Sequence, residues 1–372
     1  MFIRLPKNKL LRHSIWLIPV LTLLMSCSNL GYYWQSARGH LKIMSQREDI
    51  DELLQNPQTD ADLKQKLELV KQIRTFATQH LFLPDNDSYT QYVDIKRHYV
   101  VWNVFAAPEF STQLKKWCFL FVGCVGYRGY YSEQDARDLA LEIAKQDKLD
   151  VYVGGAIAYS TLGWFDDPVL NTFINYPEAN LAGLMFHELT HQMLYIKNDA
   201  AFNEGLANMV EMEGVKRWLQ QHPNSGDLRR YEKQKQLRTI FVSLLAQTNQ
   251  KLSELYQQQL PEQQMRDSKT KIIADLRQQF EQQKQSQQDL RIYDAWFSQP
   301  INNAQLGSVA IYEDYVPAFQ QMLSDSDNDL REFYRQVKTL SEQPQTQREQ
   351  QLKALAQRHA AHNAQATLQL VK

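Results

Sequence analysis

The sequence has no surplus of charge of either sign. Its 41 Lys and Arg residues face 42 Asp and Glu, for a formal net charge of −1. No basic excess is left to grip nucleic acid, and no acidic excess to hold a chain solvated and unfolded. Cysteine is nearly absent, at three residues, and the pair at Cys118 and Cys124 has no third ligand nearby with which to hold zinc. Past residue 27 no run is long and apolar enough to cross a membrane. No internal repeat is present, which leaves no basis for a solenoid or propeller. What remains is 372 residues, enough for one large or two modest domains around a sizeable core.

The N-terminus departs from this evenness. "MFIRLPKNKLLRH" carries Arg4, Lys7, Lys9 and Arg12 with no acidic residue, and the apolar run "SIWLIPVLTLLMS" follows. A basic segment, an apolar segment and a small residue before a break describe a secretory signal peptide, here residues 1–26. The run is too short for a comfortable transmembrane helix. "LLMSC" resembles a bacterial lipobox, with Leu24, Ser26 and Cys27 in the expected places. The resemblance implies cleavage before Cys27, diacylglycerol on its sulfur and an acyl anchor in the cell envelope. Ser28 after the cysteine favours the outer membrane, with the chain facing the periplasm. Export would place Cys118 and Cys124 in an oxidising compartment. Gly123 stands between them, so a tight strand-turn is expected to bring them within disulfide range, the alternative being two buried thiols.

The mature chain opens with helical text. "YYWQSARGHLKIMSQREDIDELLQ" and "TDADLKQKLELVKQIRTFATQHL" space their apolar residues by three and four, with "NPQTD" as a break and N-cap. "HYVVWNVFAAPEF", "CFLFVGCVGYRGYY" and "LDVYVGGAIAYSTLGWF" read as strands, and "SEQDARDLALEIAKQDK" as a helix opened by Ser132 and Asp135. Residues 226–290 read as long amphipathic helices broken at Pro261. The tail from 342 is polar and reads as helical or disordered. The expected architecture is α+β and predominantly helical. Its parts are a helical region at 27–95, a catalytic core with a small, mostly antiparallel sheet at 96–225, a helical region completing a cleft at 226–341, and the tail at 342–372.

The chemistry concentrates in "FHELTHQMLYIKNDAAFNEGLANMVE", residues 186–211. His187, Glu188 and His191 form H-E-x-x-H on an apolar helix, so both imidazoles project from one face and can reach one ion. Glu188 stands beside that face and can hold a water. A catalytic zinc takes three protein ligands and keeps one position open. Glu204, early in the next helix after the short "YIKND" connection, is the expected third ligand. Glu211 falls on the same side and is expected behind the ligands, with the reverse assignment open. One Zn2+ is therefore the expected cofactor and a peptide the expected substrate.

"HELTH…NEGLA" resembles the gluzincin metallopeptidases, which implies a zincin-like fold whose sheet packs on the H-E-x-x-H helix. A closer resemblance is to a family of bacterial lipoproteins described as zinc aminopeptidases. It is carried by "YYWQSARGHL", "WCFLFVGCVGYRGYY", "AYSTLGWFDDPVL", "FHELTHQ", "FNEGLANMVE" and "NNAQLGSVAIYEDYVPAF". It implies peptide-bond hydrolysis with Glu188 as general base. Gluzincins add a Tyr or His donor for the oxyanion; Tyr312 is the first choice here and Tyr159 the second. "VGGAIAYSTLG", with Gly154 and Gly155, is a candidate edge strand for an extended peptide. Glu211, Glu133, Asp166 and Asp167 are candidates to bind a substrate amine, and aminopeptidase and endopeptidase both stay open. The competing reading is a lipid-anchored zincin-fold protein acting as an assembly or chaperone-like factor. Such a factor has no need of the general base that this sequence retains.

Overall fold

The computed structural model describes residues 30–119, 123–222, 227–310 and 315–370. The leader, Cys27 and Tyr312 lie outside the described residues. The chain divides between Arg47 and Glu48 into two compact units.

In the first unit, helix α1 spans 30–44. Its last turn is closed by Ser45 Oγ donating to Lys42 O and Arg47 Nε donating to Met44 O, each at 3.0 Å. The sequence pattern runs on as one helix to Gln55, but the chain stops and restarts. Asp49 turns extended, and its carboxylate accepts from the backbone N–H groups of Asp51 and Glu52. That N-cap begins a new helix where the hydrophobic spacing alone shows no boundary.

The second unit runs, in chain order, through β1 (Glu48–Asp49), α2 (Ile50–Gln55), α3 (Ala61–Leu81), β2 (Gln91–Val93), β3 (Val101–Ala107), β4 (Trp117–Phe119), β5 (Gly123–Val125) and β6 (Tyr127–Tyr130). It continues with α4 (Glu133–Gln146), β7 (Asp150–Ala156), β8 (Val169–Leu170), α5 (Glu178–Met193), α6 (Ala200–Gln221), α7 (Asp227–Tyr256) and α8 (Glu262–Ser286). A 3-10 turn over Gln288–Tyr293 leads to α9 (Asp294–Phe297), α10 (Asn303–Ala310), α11 (Val316–Asp325), α12 (Leu330–Ser341) and α13 (Gln345–Leu370). Several starts follow the expected capping chemistry. Asp60 caps α3, Ser132 accepts from Asp135 N at 3.3 Å to cap α4, and α8 begins directly after Pro261.

The fold is predominantly helical with small sheets, as expected. β3 is the centre of an antiparallel sheet ordered β6–β3–β7, with Val104 opposite both Arg128 and Val153. A second sheet, β1–β2–β8, is mixed: β2 runs parallel to β8, pairing Tyr92 with Val169. β4 and β5 form a hairpin in which Cys118 lies opposite Cys124, and the two are joined as a disulfide.

One expectation is corrected. The antiparallel sheet does not pack chiefly on the H-E-x-x-H helix; it packs on α4 and α10, while that helix, α5, packs on α6, α3 and α7. The reason is visible in α5, which buries Leu181, Ala182, Met185, Phe186 and Leu189 and finds matching apolar faces on helices. The region from 342, read as helical or disordered, is helical over Gln345–Leu370. α13 packs along α11 and buries Leu352 and Arg348. Its polar composition hid one deeply placed cation. Arg348 Nε donates to Asp199 at 2.9 Å and Arg348 Nη1 to Gln343 O at 2.7 Å, with both charged side chains buried. Among the described residues no helix is long and apolar enough to cross a membrane.

Asp199 caps α6 by accepting from Phe202 N at 3.1 Å, so Arg348 neutralises a desolvated capping carboxylate. Replacing Arg348 with Met should cost about 3–5 kcal/mol in denaturant unfolding, because a buried charge loses its partner. Adding Asp199→Asn should recover most of that loss, since the amide still caps and carries no charge. A cost of Arg348→Met below about 1 kcal/mol would show that the pair is not the fastener described here.

Candidate metal centre

Two helices build the site, and the local sequence explains how they meet. α5 ends at Met193, two residues past His191, and α6 starts at Ala200. The turn between them is held by Asn203, whose amide bridges both backbone groups of one residue. Asn203 Oδ1 accepts from Ile196 N and Asn203 Nδ2 donates to Ile196 O, each at 2.8 Å. Asn198 takes a left-handed φ of 68°, and its side chain accepts from Cys124 N at 2.7 Å. The disulfide hairpin is thus fastened to the same turn. Further along, Gly214 lets the helices approach closely, because a Cβ there would lie 2.6 Å from the Phe186 ring.

The antiparallel pair brings three ligand atoms together. His187 Nε2 lies 3.2 Å from His191 Nε2 and 3.4 Å from Glu204 Oε2, and His191 Nε2 lies 3.7 Å from Glu204 Oε1. Zinc held tetrahedrally at about 2.0–2.1 Å puts neighbouring donor atoms about 3.3–3.4 Å apart. The two imidazoles and the two Glu204 oxygens thus lie at separations close to those of such a site. Among the described residues this is the one cluster of His, Cys, Asp and Glu able to hold an ion. The donor set also fits chemically, since two imidazole nitrogens and one carboxylate suit zinc. His191 is buried while His187 and Glu204 keep partial exposure, which leaves a path for water and substrate.

Behind the ligands, His187 Nδ1 faces Glu211 Oε2 at 3.4 Å, and Lys235 Nζ donates to Glu211 Oε1 at 3.1 Å. Glu211 thereby orients the His187 ring, the place expected for it. His191 Nδ1 is buried and has no such partner among the described residues.

The field in this pocket is strongly coupled. Burial opposes charge on His187, but Glu204 and Glu211 overcome it and raise its pKa to about 10. Burial and the neighbouring His187 hold His191 down at about 4. Burial works upward on Glu211, yet His187 and Lys235 pull it to about 2. Glu188 moves the other way: burial, aided by Glu204, Asp167 and Glu211, lifts it to about 7. A carboxyl poised there can both take and return a proton near neutral pH.

Residues that the motif does not announce complete the surround. Gln192, next to His191, donates through Nε2 to Asp167 Oδ2 at 3.0 Å and accepts through Oε1 from Asn86 Nδ2 at 2.7 Å. Arg74 on α3 fixes that Asn86 loop by donating to Ser88 O at 3.1 Å, Pro84 O at 2.8 Å and Asn86 O at 2.7 Å. Tyr89, in the left-handed region at φ 65°, donates its N–H to Asp167 O at 2.7 Å. Its buried phenol feels both Glu188 and Asp167 and is held well above the ordinary tyrosine range. Tyr195 lies beside His191, ring centroids 6.5 Å apart, and burial with nearby Glu204 keeps its hydroxyl protonated. Tyr195 lies past the end of α5, where Leu194 is already extended, so the helical period did not place it. Nothing in the sequence marked Tyr89.

The remaining expected site residues differ in their surroundings. Tyr159 packs edge-on against Tyr131 and adds to the field on the buried Tyr89 phenol. Gly155 is on edge strand β7, where a Cβ would meet the Tyr99 ring at 2.4 Å. Of the four acids open as amine binders, Glu133 pairs with exposed Arg137, Asp166 is exposed, and Glu211 is committed to His187 and Lys235. Asp167 alone combines burial with a place beside Glu188.

Residues 31–352 match the model of a protein family described as "Putative aminopeptidase". The chain belongs to this family, which supports a peptidase-like function. No curated protein and no solved structure matches it.

Metal binding requires neutral imidazoles, whereas metal-free His187 stays protonated up to about pH 10. Zinc titrated in at about pH 8, in buffers of different ionisation enthalpy, should therefore expel about one proton per ion. Apparent affinity should rise with pH through this range. Glu211→Gln removes one of the acids that hold the proton and should reduce the release. Zinc binding with no proton release would refute this account of His187. His187→Ala, His191→Ala and Glu204→Ala should each strip the metal. If Glu204→Ala kept its metal while Glu211→Ala lost it, the third ligand would move to Glu211.

Proposed function

We propose that this protein is a zinc-dependent aminopeptidase, anchored to the bacterial cell envelope through acyl groups on Cys27 and facing peptides in the periplasm. The reading rests on one observation. His187, His191 and Glu204 converge at 3.2–3.7 Å, next to a glutamate whose pKa burial has lifted to about 7.

A zinc ion held by these three residues would supply Lewis acidity, lowering the pKa of a bound water to about 7 and polarising the scissile carbonyl. Glu188 takes the proton from the attacking water and then delivers it to the leaving amine. Glu211 keeps the His187 ring turned so that Nε2 points into the site. Tyr195, with its proton held by burial, would donate to the developing oxyanion, a role for which the sequence offers Tyr312 first and Tyr159 second. Asp167 is buried and its carboxylate accepts from Thr161 N and Gln192 Nε2, each at 3.0 Å, so it acts on the site by holding Gln192 and through its field at Glu188. Edge strand β7 provides the docking ledge. Val151 O is taken by Asn302 Nδ2 at 2.9 Å, so by strand alternation Val153 and Gly155 turn their backbone groups to the open edge.

Glu188→Gln should keep its metal and lose turnover by at least about 100-fold, because an amide cannot accept the proton. Metal analysis and a peptide-library digest on the same sample read both outcomes, and the digest separates N-terminal trimming from internal cuts. Retained activity would remove Glu188 as the base. Wild-type protein filled with zinc that cuts no peptide would favour the partner-binding reading. Tyr195→Phe should lower kcat by about 100-fold or more with KM little changed if it is the oxyanion donor. If Tyr312→Phe does so instead, the role passes to Tyr312.

A further inference from the structure

Helix α1, over 30–44, exposes an unusual number of large apolar side chains to water. Its most exposed residues include Leu30, Trp34 and Leu41, at 68%, 69% and 63%, with Tyr33 at 41%. Ala37 is exposed on the same side. The spacing 30, 33, 34, 37, 41 is that of a single helical face. Gln35, Ser36, Gly39 and His40 are less accessible, as are Tyr32, Ile43 and Met44. The helix therefore keeps an exposed stripe that is apolar along its length.

The charges follow one pattern. Between residues 30 and 47 the chain carries Arg38, Lys42 and Arg47 and no Asp or Glu. Arg38 and Lys42 are exposed and lie along the same outward side as Trp34 and Leu41. An aromatic and aliphatic stripe edged by lysine and arginine matches a bilayer interface with anionic headgroups. There tryptophan sits at headgroup depth, and basic side chains reach up to the phosphates. An apolar protein groove would cover the stripe equally well, but would give no reason for a segment with basic residues and no acid.

We propose that the outward face of α1 is a membrane-docking surface. It lies flat on an anionic bilayer, with Leu30, Trp34 and Leu41 in the interface and Arg38 and Lys42 against the headgroup phosphates. α1 begins three residues after Cys27, a reach of about 10 Å, so an acyl anchor on that cysteine would hold the helix at the surface. The face needs no anchor to act, and it orients the protein where an acyl chain only tethers it.

The test uses the chain from Ser28 onward, which lacks the acyl site and keeps every described residue. It is sedimented with vesicles of phosphatidylcholine alone and of phosphatidylcholine with phosphatidylglycerol. Binding to the anionic vesicles is expected, weaker in added salt and weaker on the neutral ones. Trp34→Ser combined with Leu41→Ser should weaken it by at least about tenfold, with thermal unfolding unchanged. Arg38→Glu with Lys42→Glu should erase the preference for anionic lipid. The proposal falls if the unacylated chain stays in the supernatant with both vesicles, whatever becomes of the lipoprotein reading. It also falls if the Trp34/Leu41 variant sediments like its parent. Dimerisation in solution that depends on Trp34 would assign the face to a second copy of the chain.

Discussion

The close packing of α5 against α6 is the constraint on which the site depends. His187 and His191 come from the last two turns of one helix, and Glu204 from the second turn of the next. No single element carries the triangle. Its 3.2–3.7 Å edges survive only if the turn between the helices keeps its shape. Asn203 closes that turn on Ile196, Asp199 caps the helix that leaves it, and Arg348 arrives from α13 to neutralise Asp199. The C-terminal helix is therefore part of the scaffold of the site, although it lies about 150 residues away in sequence.

Those geometric fasteners work against a large electrostatic cost. Glu188, Glu204 and Glu211 crowd two imidazoles in a partly desolvated space. Without a metal the charges redistribute: His187 holds a proton against the pull of burial, and His191 gives its proton up. Two ring nitrogens facing each other at 3.2 Å also leave one lone pair aimed at another unless a cation or a proton lies between. A divalent ion relieves both problems, which is the physical sense in which the cluster fits one. The distal carboxylate Glu211 faces the other nitrogen of His187 and pairs with Lys235.

Much of this was legible in the sequence, for a definite reason. H-E-x-x-H and Asn-Glu-x-x-Ala are local patterns, and helical periodicity places His187, His191 and Glu204 without knowledge of the rest. Capping residues are local too, so the N-cap within "NPQTD" and the one at Ser132 read correctly. What stayed hidden depends on distant partners. Asp49 breaks a helical pattern because it can cap, not because the pattern fails. Arg348 looks like any lysine or arginine in a glutamine-rich tail until Asp199 is seen opposite it. Tyr89 and Asp167 sit on loops whose approach to Glu188 is set by Arg74 and Gln192. The sheet's preference for α4 and α10 over α5 is likewise a matter of which apolar faces find each other, and periodicity does not say.

The placement of the donors at a helix junction has an electrostatic logic of its own. α5 ends at Met193, so His191 lies where unsatisfied carbonyls gather partial negative charge, which favours a cation. α6 begins at Ala200, so Glu204 lies just past a helix N-terminus, where partial positive charge favours a carboxylate. Each helix end suits the ligand it carries. The gain is about 0.3–1 kcal/mol per end, small beside the cost of several kcal/mol for burying a charge. The dipoles therefore do not create the site. They favour an ionised Glu204 and a positive charge at His191, a charge that the bound ion would supply, while burial and His187 keep the His191 ring neutral. The turn fixed by Asn203 and Arg348 supplies the geometry that converts this bias into coordination.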